Sequence, residues 1–389
     1  MTLRIAASFL IAALATAAPL AAETAAPAKN STTEKAIAPA GESSHIDLVL
    51  CLDTSSSMDG LIESAKVKLW DVVNTLATAQ PTPDLRVALY SYGNDGIPAD
   101  AGWVRQELAL TDDLDSVNEK LFALRTGGGT ELVARVTKTA LEKESWTRGP
   151  GKTMRLIFVC GNEPANQDET VSLDKAMSAA QEMTVTVNTI YCGNPDDDAA
   201  ASWRQAAGLA KGKFASIDMN NTVAIATPFD DEMAKLSTQL NGTYIAYGRN
   251  AAPASMRQLA QDSNASSAGG AVAASRAVAK SSSMYKNASW DLVDAKAEKA
   301  VKLDEVSAES LPEEMKALKP AEREAYVDKK AKEREAVQAK IKELAAKREA
   351  FLTAERAKQA GGKGTSLDKA LVDALSEQAK AAGIEIKGK

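Results

Sequence analysis

The chain has 389 residues and a formal net charge of −6; 45% of its residues are hydrophobic, 25% charged and 5% aromatic. That apolar share is enough for a core, and the length suits one large domain or two smaller ones. One histidine, His45, and three cysteines exclude a two-histidine zinc or iron site, a four-cysteine zinc site and a disulfide scaffold, and leave almost no room for a Ser–His–Asp hydrolase.

Residues 1–22 combine Arg4, an apolar stretch from Ile5 to Ala18 and small residues after it. This pattern predicts a secretory signal peptide cleaved near Ala18 to Ala22, because the apolar run is short of the ~20 residues that a spanning helix needs. The mature chain is therefore expected in the periplasm or secreted, with no transmembrane segment. Residues 23–44, rich in Ala, Pro, Ser and Thr, read as a disordered linker.

From 45 to 250, β-branched runs alternate with amphipathic stretches. The runs are IDLVLCLD (46–53), LRVALYSYG (85–93), MRLIFVCG (154–161) and TVTVNTIYCG (184–193). Helical patterns occupy 61–79, 114–124, 131–146 and 172–183. Strands separated by helices predict an α/β domain with a doubly wound, mostly parallel sheet and helices on both faces. WVRQELALT (103–111) alternates as an edge strand does, and a strand near 213–218 and a helix at 230–240 close the domain. Residues 251–389 contain no strand pattern and read as a helical tail, with helices at 254–280, 290–303 and 366–382. A long helix at 321–359 is ~58 Å if straight. Its apolar stripe (Val327, Val337, Ile341, Leu344, Phe351, Leu352) is narrow and interrupted by Arg334 and Arg348, which suits a seat against one partner helix. GGKG (361–364) ends it.

Charge divides with this organisation. Residues 43–250 carry 28 Asp and Glu against 18 Lys and Arg, and residues 251–389 carry 21 against 25. An acidic sheet domain argues against nucleic-acid binding.

The first strand ends in Asp53-Thr54-Ser55-Ser56-Ser57 and a helix follows. In an open α/β sheet, ligands bind at the carboxyl ends of strands. One carboxylate and two hydroxyls there make a hard-oxygen cluster suited to Mg²⁺, Mn²⁺ or Ca²⁺. Residues 45–250 resemble the von Willebrand factor type A domain, on DTSSSM at 53–58, GGGTE at 127–131 and MRLIFVCGNEP at 154–164. The phrases at 69–76, 85–94 and 187–193 are similar to a bacterial exported subgroup with a helical or coiled-coil tail. The resemblance implies a metal-ion-dependent adhesion site with Asp53, Ser55 and Ser57 as its tripod and Thr130 as the second-loop hydroxyl. It also implies a protein partner that offers an acidic side chain. The family's fourth-strand aspartate is replaced here by Gly161, so the fixed ligand charge falls and weak affinity is expected; Asn162 or Glu163 are the candidates for compensation through a water. The other reading is a metal-free turn that caps the following helix. Asp59, Asn94, Asp95, Gly128, Gly129 and Trp103 are expected nearby.

Other motifs carry less. RGPGKT (148–153) lacks the first glycine of a phosphate loop and precedes a strand instead of following one. Cys160 and Cys192 end two strands and form either a bridge or, with Cys51, buried small hydrophobes. No nucleophile–base pair can be named, so the expectation is a non-enzymatic, exported binding module. The alternative is a structural envelope protein with a metal-free α/β scaffold and a self-associating tail.

Overall fold

The computed structural model describes residues 44–77, 79–80, 82–149, 151–217, 225–359 and 367–386. The expected signal peptide, all but the last residue of the linker at 23–44, and the GGKG break lie outside the described residues. In chain order, the sheet domain contains β1 (Ser44–Asp53), α1 (Ile62–Leu76), β2 (Ala79–Gln80), β3 (Asp84–Tyr92), β4 (Val104–Thr111), α2 (Leu114–Ala123) and α3 (Val133–Lys143). It continues through β5 (Lys152–Gly161), α4 (Leu173–Glu182), β6 (Thr186–Cys192), α5 (Asp198–Leu209), β7 (Phe214–Ile217) and α6 (Asp230–Asn241). There follow α7 (Ala251–Ser267), α8 (Gly270–Ser281), α9 (Leu292–Ala297), α10 (Glu313–Lys316), α11 (Pro320–Gln359), α12 (Leu367–Ala381) and β8 (Glu385–Ile386).

The main sheet has the order β4-β3-β1-β5-β6-β7. All neighbours are parallel except the edge pair β3–β4. This is the doubly wound, mostly parallel α/β architecture expected from the alternating runs. β1 is central because its side chains are apolar on both faces, as a doubly covered strand requires. Ile46, Leu48, Leu50 and Leu52 enter one core with α1 and α2, while Val49 and Cys51 enter the opposite core with α3, α4 and α5. Each fully buried leucine contributes roughly 1.5–3 kcal/mol. The odd-numbered series also carries Asp47 and Asp53, one near each end of the strand. Asp47 is neutralised by Arg86, whose Nε and Nη2 each donate at 3.0 Å. The chain leaves β1 toward β3 and later returns to its other side at β5, so the topological switch point lies between β1 and β5.

The tail is built onto this sheet, and Glu42–Lys389 forms one unit. The helical pattern at 254–280 is two helices, divided at Gly269, whose φ of +115° ordinary residues rarely adopt. The pattern at 290–303 is helical only over α9. α5 was not anticipated, because its alanine-rich sequence has little apolar contrast. α11 starts on Pro320, a residue preorganised for a first helical turn. Its stripe is covered by its own chain: Val327 packs with Ile245, Leu292 and Met315, and Ile341 with Met233, Leu236 and Ala274. The two interruptions are anchors. Arg334 Nη1 donates to Asp291 Oδ2 at 2.8 Å and Asp294 Oδ1 at 2.7 Å, and its guanidinium lies over the Tyr244 ring. Arg348 Nε donates to Asp230 Oδ1 at 2.8 Å. At the end of the chain, β8 pairs with β2, and Leu375, Ala379 and Ile384 join the core of β1. Among the described residues, no helix is long and apolar enough to cross a membrane.

Candidate functional site

At the carboxyl end of β1 the chain turns sharply, and three loops are laced together by backbone hydrogen bonds. Thr54 N donates to Tyr92 O at 2.8 Å, Gly127 N to Thr54 O at 3.0 Å, and Ser56 N to Gly128 O at 2.6 Å. Asn94 Nδ2 donates to Thr54 O and to Arg125 O, both at 3.1 Å. Gly128 has φ +64°, and a Cβ there would collide with Asp95 at 1.9 Å. This glycine therefore permits the close approach of the 127–131 loop.

The expected tripod forms in part. Asp53 Oδ1 accepts from Ser55 N at 2.8 Å, and the Ser55 and Ser57 hydroxyls are 2.9 Å apart. Asp53 and Ser55 are wholly buried, whereas Ser57 is exposed. Ser57 Oγ donates to Asn162 Oδ1 at 3.0 Å, and Asn162 Nδ2 returns a bond to Ser57 O at 3.0 Å. Asn162 thus clamps the end of the tripod across from β5. Thr130 is drawn to the turn by its N–H, which donates to Gly93 O at 3.3 Å, while its hydroxyl donates to Gly129 O at 2.8 Å. Thr130 is half-exposed and its hydroxyl points to its own loop. Of the loop residues expected nearby, Asn94, Asp95, Gly128 and Gly129 take part in this lacing, Trp103 O accepts from Gly93 N at 3.0 Å, and Asp59 bonds Thr126.

Asp53 holds the electrostatic centre. Its Oδ2 is buried and has no hydrogen-bond partner. Burial pushes its carboxyl up to about 7, against hydrogen bonds from Ser55 that lower it, and the charges of Glu131 and Glu163 add to the rise. Burial also raises Glu131, partly offset by its own backbone amide and by Ser55. Gly161 stands where the resemblance led us to look for an aspartate. A Cβ there would lie 2.6 Å from Tyr92 Oη and 2.9 Å from Asp53 Oδ2, so those two side chains fill the space an aspartate needs.

A hard divalent cation fits this donor set in chemistry: three hydroxyls and one carboxylate, whose buried, unsatisfied Oδ2 carries charge when ionised. The four expected residues supply a single carboxylate, and among the described residues no three His, Cys, Asp or Glu side chains gather to hold a metal. Glu131, the last residue of the GGGTE motif, is not among the four ligands that the resemblance implies; its place directly after Thr130 is the signal for it. Cys160 and Cys192 lie beneath the site with sulfurs 3.3 Å apart; both are free and buried, as is Cys51.

Residues 47–203 match the family model of the von Willebrand factor type A domain. With the sheet order, that match supports a von Willebrand factor type A domain in this chain, a class of domain generally used for protein interaction. Two solved structures of proximal thread matrix protein 1 from the mussel byssus are similar in part. One aligns at 11% identity and TM-score 0.34 over 46% of this chain and 43% of the mussel chain. The other aligns at 12% identity and TM-score 0.37 over 46% and 44%. The alignment thus spans less than half the length of these mussel chains. No curated protein matches the sequence.

Proposed function

We propose that this chain is an exported, non-enzymatic protein-binding module of adhesion or assembly type, which docks its partner on the loops at the carboxyl end of β1. The observation that carries the reading is the convergence of Asp53, Ser55 and Ser57 at the switch point, with Asp53 Oδ2 buried and unpartnered. Asp53, Ser55, Ser57 and Thr130 are the residues that would hold Mg²⁺, Mn²⁺ or Ca²⁺. There they would present a positive point suited to an acidic side chain of a partner protein. The chain's own residues do the rest: Asn162 holds Ser57, Gly93 O holds Thr130, and the buried turn keeps Asp53 from bulk water.

The cation is tested by thermal unfolding in Mg²⁺, Mn²⁺ or Ca²⁺ against chelator. The wild type should gain stability by RT ln(1 + [L]/Kd), and Asp53→Ala should gain none. Equal shifts in both proteins would end the metal-dependent reading. Export from a bacterial cell is tested by N-terminal sequencing of the mature protein, with a start between residues 19 and 23 expected.

A second reading, self-association through the tail, draws on α7. The α11 stripe is already covered, but Met256 and Leu259 project from α7 at 69% and 54% exposure. Sedimentation of the wild type and of Met256→Glu/Leu259→Glu decides it: a wild-type monomer discards self-association.

A further inference from the structure

We propose that Glu131 is the second carboxylate of the cation site, supplying from the 127–131 loop the charge that Gly161 lacks; this rests on the divalent-cation reading above. The inference comes from two bare glycines. A Cβ built on Gly93 would stand 2.9 Å from Asp53 Oδ1, 3.1 Å from Glu131 Cγ and 3.5 Å from Ser55 Cβ. A Cβ built on Gly129 would stand 2.6 Å from Glu131 Oε1 and 3.7 Å from Ser55 Cβ. Asp53, Glu131 and Ser55 therefore meet beside Gly93, where a side chain on that residue would collide with them.

Charge and hydrogen bonding point the same way. Among the described residues, the ion pairs of the sheet domain include Arg86–Asp47, Arg105–Glu107 and Arg135–Asp168, and none involves Asp53 or Glu131. Asp53 Oδ2 is buried with no partner. Two nearby carboxylates without a protein cation repel each other unless a proton or a metal ion intervenes. Three hydroxyls and two carboxylates make a hard-oxygen set of neutral net charge with a divalent ion, and ligand charge is what tunes such affinities. Glu163 is the competing compensator. It follows Asn162 and its charge raises both Asp53 and Glu131, but it is not among the nearest neighbours of either bare glycine.

The test is Mn²⁺ titration of the full chain, read by loss of the free-ion paramagnetic resonance signal, on wild type, Glu131→Gln, Glu163→Gln and Asp53→Asn. Circular dichroism verifies that each variant is folded. Glu131→Gln is expected to bind at least about tenfold more weakly, with Glu163→Gln within about twofold of wild type. Wild-type affinity in Glu131→Gln, with binding lost in Asp53→Asn, overturns the role of Glu131 and leaves the cation reading standing. Equal weakening in Glu131→Gln and Glu163→Gln shows a general field effect and also overturns it. No Mn²⁺ binding by the wild type overturns both.

Discussion

Gly161 shows how one missing side chain reshapes a site. The space beside it is filled by the Tyr92 hydroxyl, which donates to Cys160 O at 3.0 Å, and by the Asp53 carboxylate. Gly161→Ala should therefore cost about 1–3 kcal/mol by overpacking. Tyr92→Phe removes the atom nearest the new methyl, so the double variant should recover at least about 0.5 kcal/mol relative to additivity. Urea unfolding of the four proteins measures this coupling, and strict additivity would mean that the collision is relieved elsewhere. The residues of the turn were legible because Asp53, Ser55 and Ser57 are local in sequence and follow an apolar run. Glu131 was not, because its relation to Asp53 depends on Gly93 and Gly129 having no side chains to separate them. Asn162 was considered only through a water, whereas it bonds Ser57 directly.

At the scale of elements, α11 shows why a pattern of apolar residues understates a helix's role. Its stripe is narrow because much of its hold on the body is polar. Arg334 is 5% exposed and faces Asp291, which is wholly buried. Removing one partner of a buried pair leaves the other charge uncompensated, so Arg334→Ala should lower stability by about 3–5 kcal/mol. Val337→Ala, in a half-buried position of the same helix, should cost much less. Guanidinium denaturation compares them; equal small losses would mean that α11 is not anchored through Arg334. The strands were legible from their β-branched runs, and the tail helices less so. Gly269 was overlooked in an alanine-rich stretch, and the acid partners of Arg334 lie some 40 residues away in sequence.

For the molecule as a whole, the division of charge is used internally. Cations of α7 and α8 meet acids of α2 and its N-cap: Arg257 pairs with the cap Asp113 at 2.8 Å and with Glu119 at 3.1 Å, and Arg276 with Asp115 at 2.5 Å. Lys280 lies behind them against Asp262 at 2.6 Å. Burial pushes the Lys280 ammonium down to about 8 from 10.5, although Asp262 raises it. Between those values the unfolded chain holds more protons than the folded one. Stability relative to Lys280→Met should therefore rise as pH increases from about 8 to 10.5, by about 1–3 kcal/mol, with the full burial cost present below pH 8. Urea midpoints across that range check the sign; a flat difference would place the ammonium in water, and one that falls with pH would mean that the Asp262 pair outweighs burial.

The pairing of β8 with β2 has a consequence for how this chain folds as it is made. Ribosomes build from the amino end, so β1, α1 and β2 emerge well before α12, which packs on α1 and β7, and before β8. Until residues 367–386 are made, the apolar cluster that holds the β1 leucines lacks Leu375, Ala379, Ile384 and Ile386. A fragment ending at residue 366 should accordingly be cut by a trace of protease far faster than the 389-residue chain.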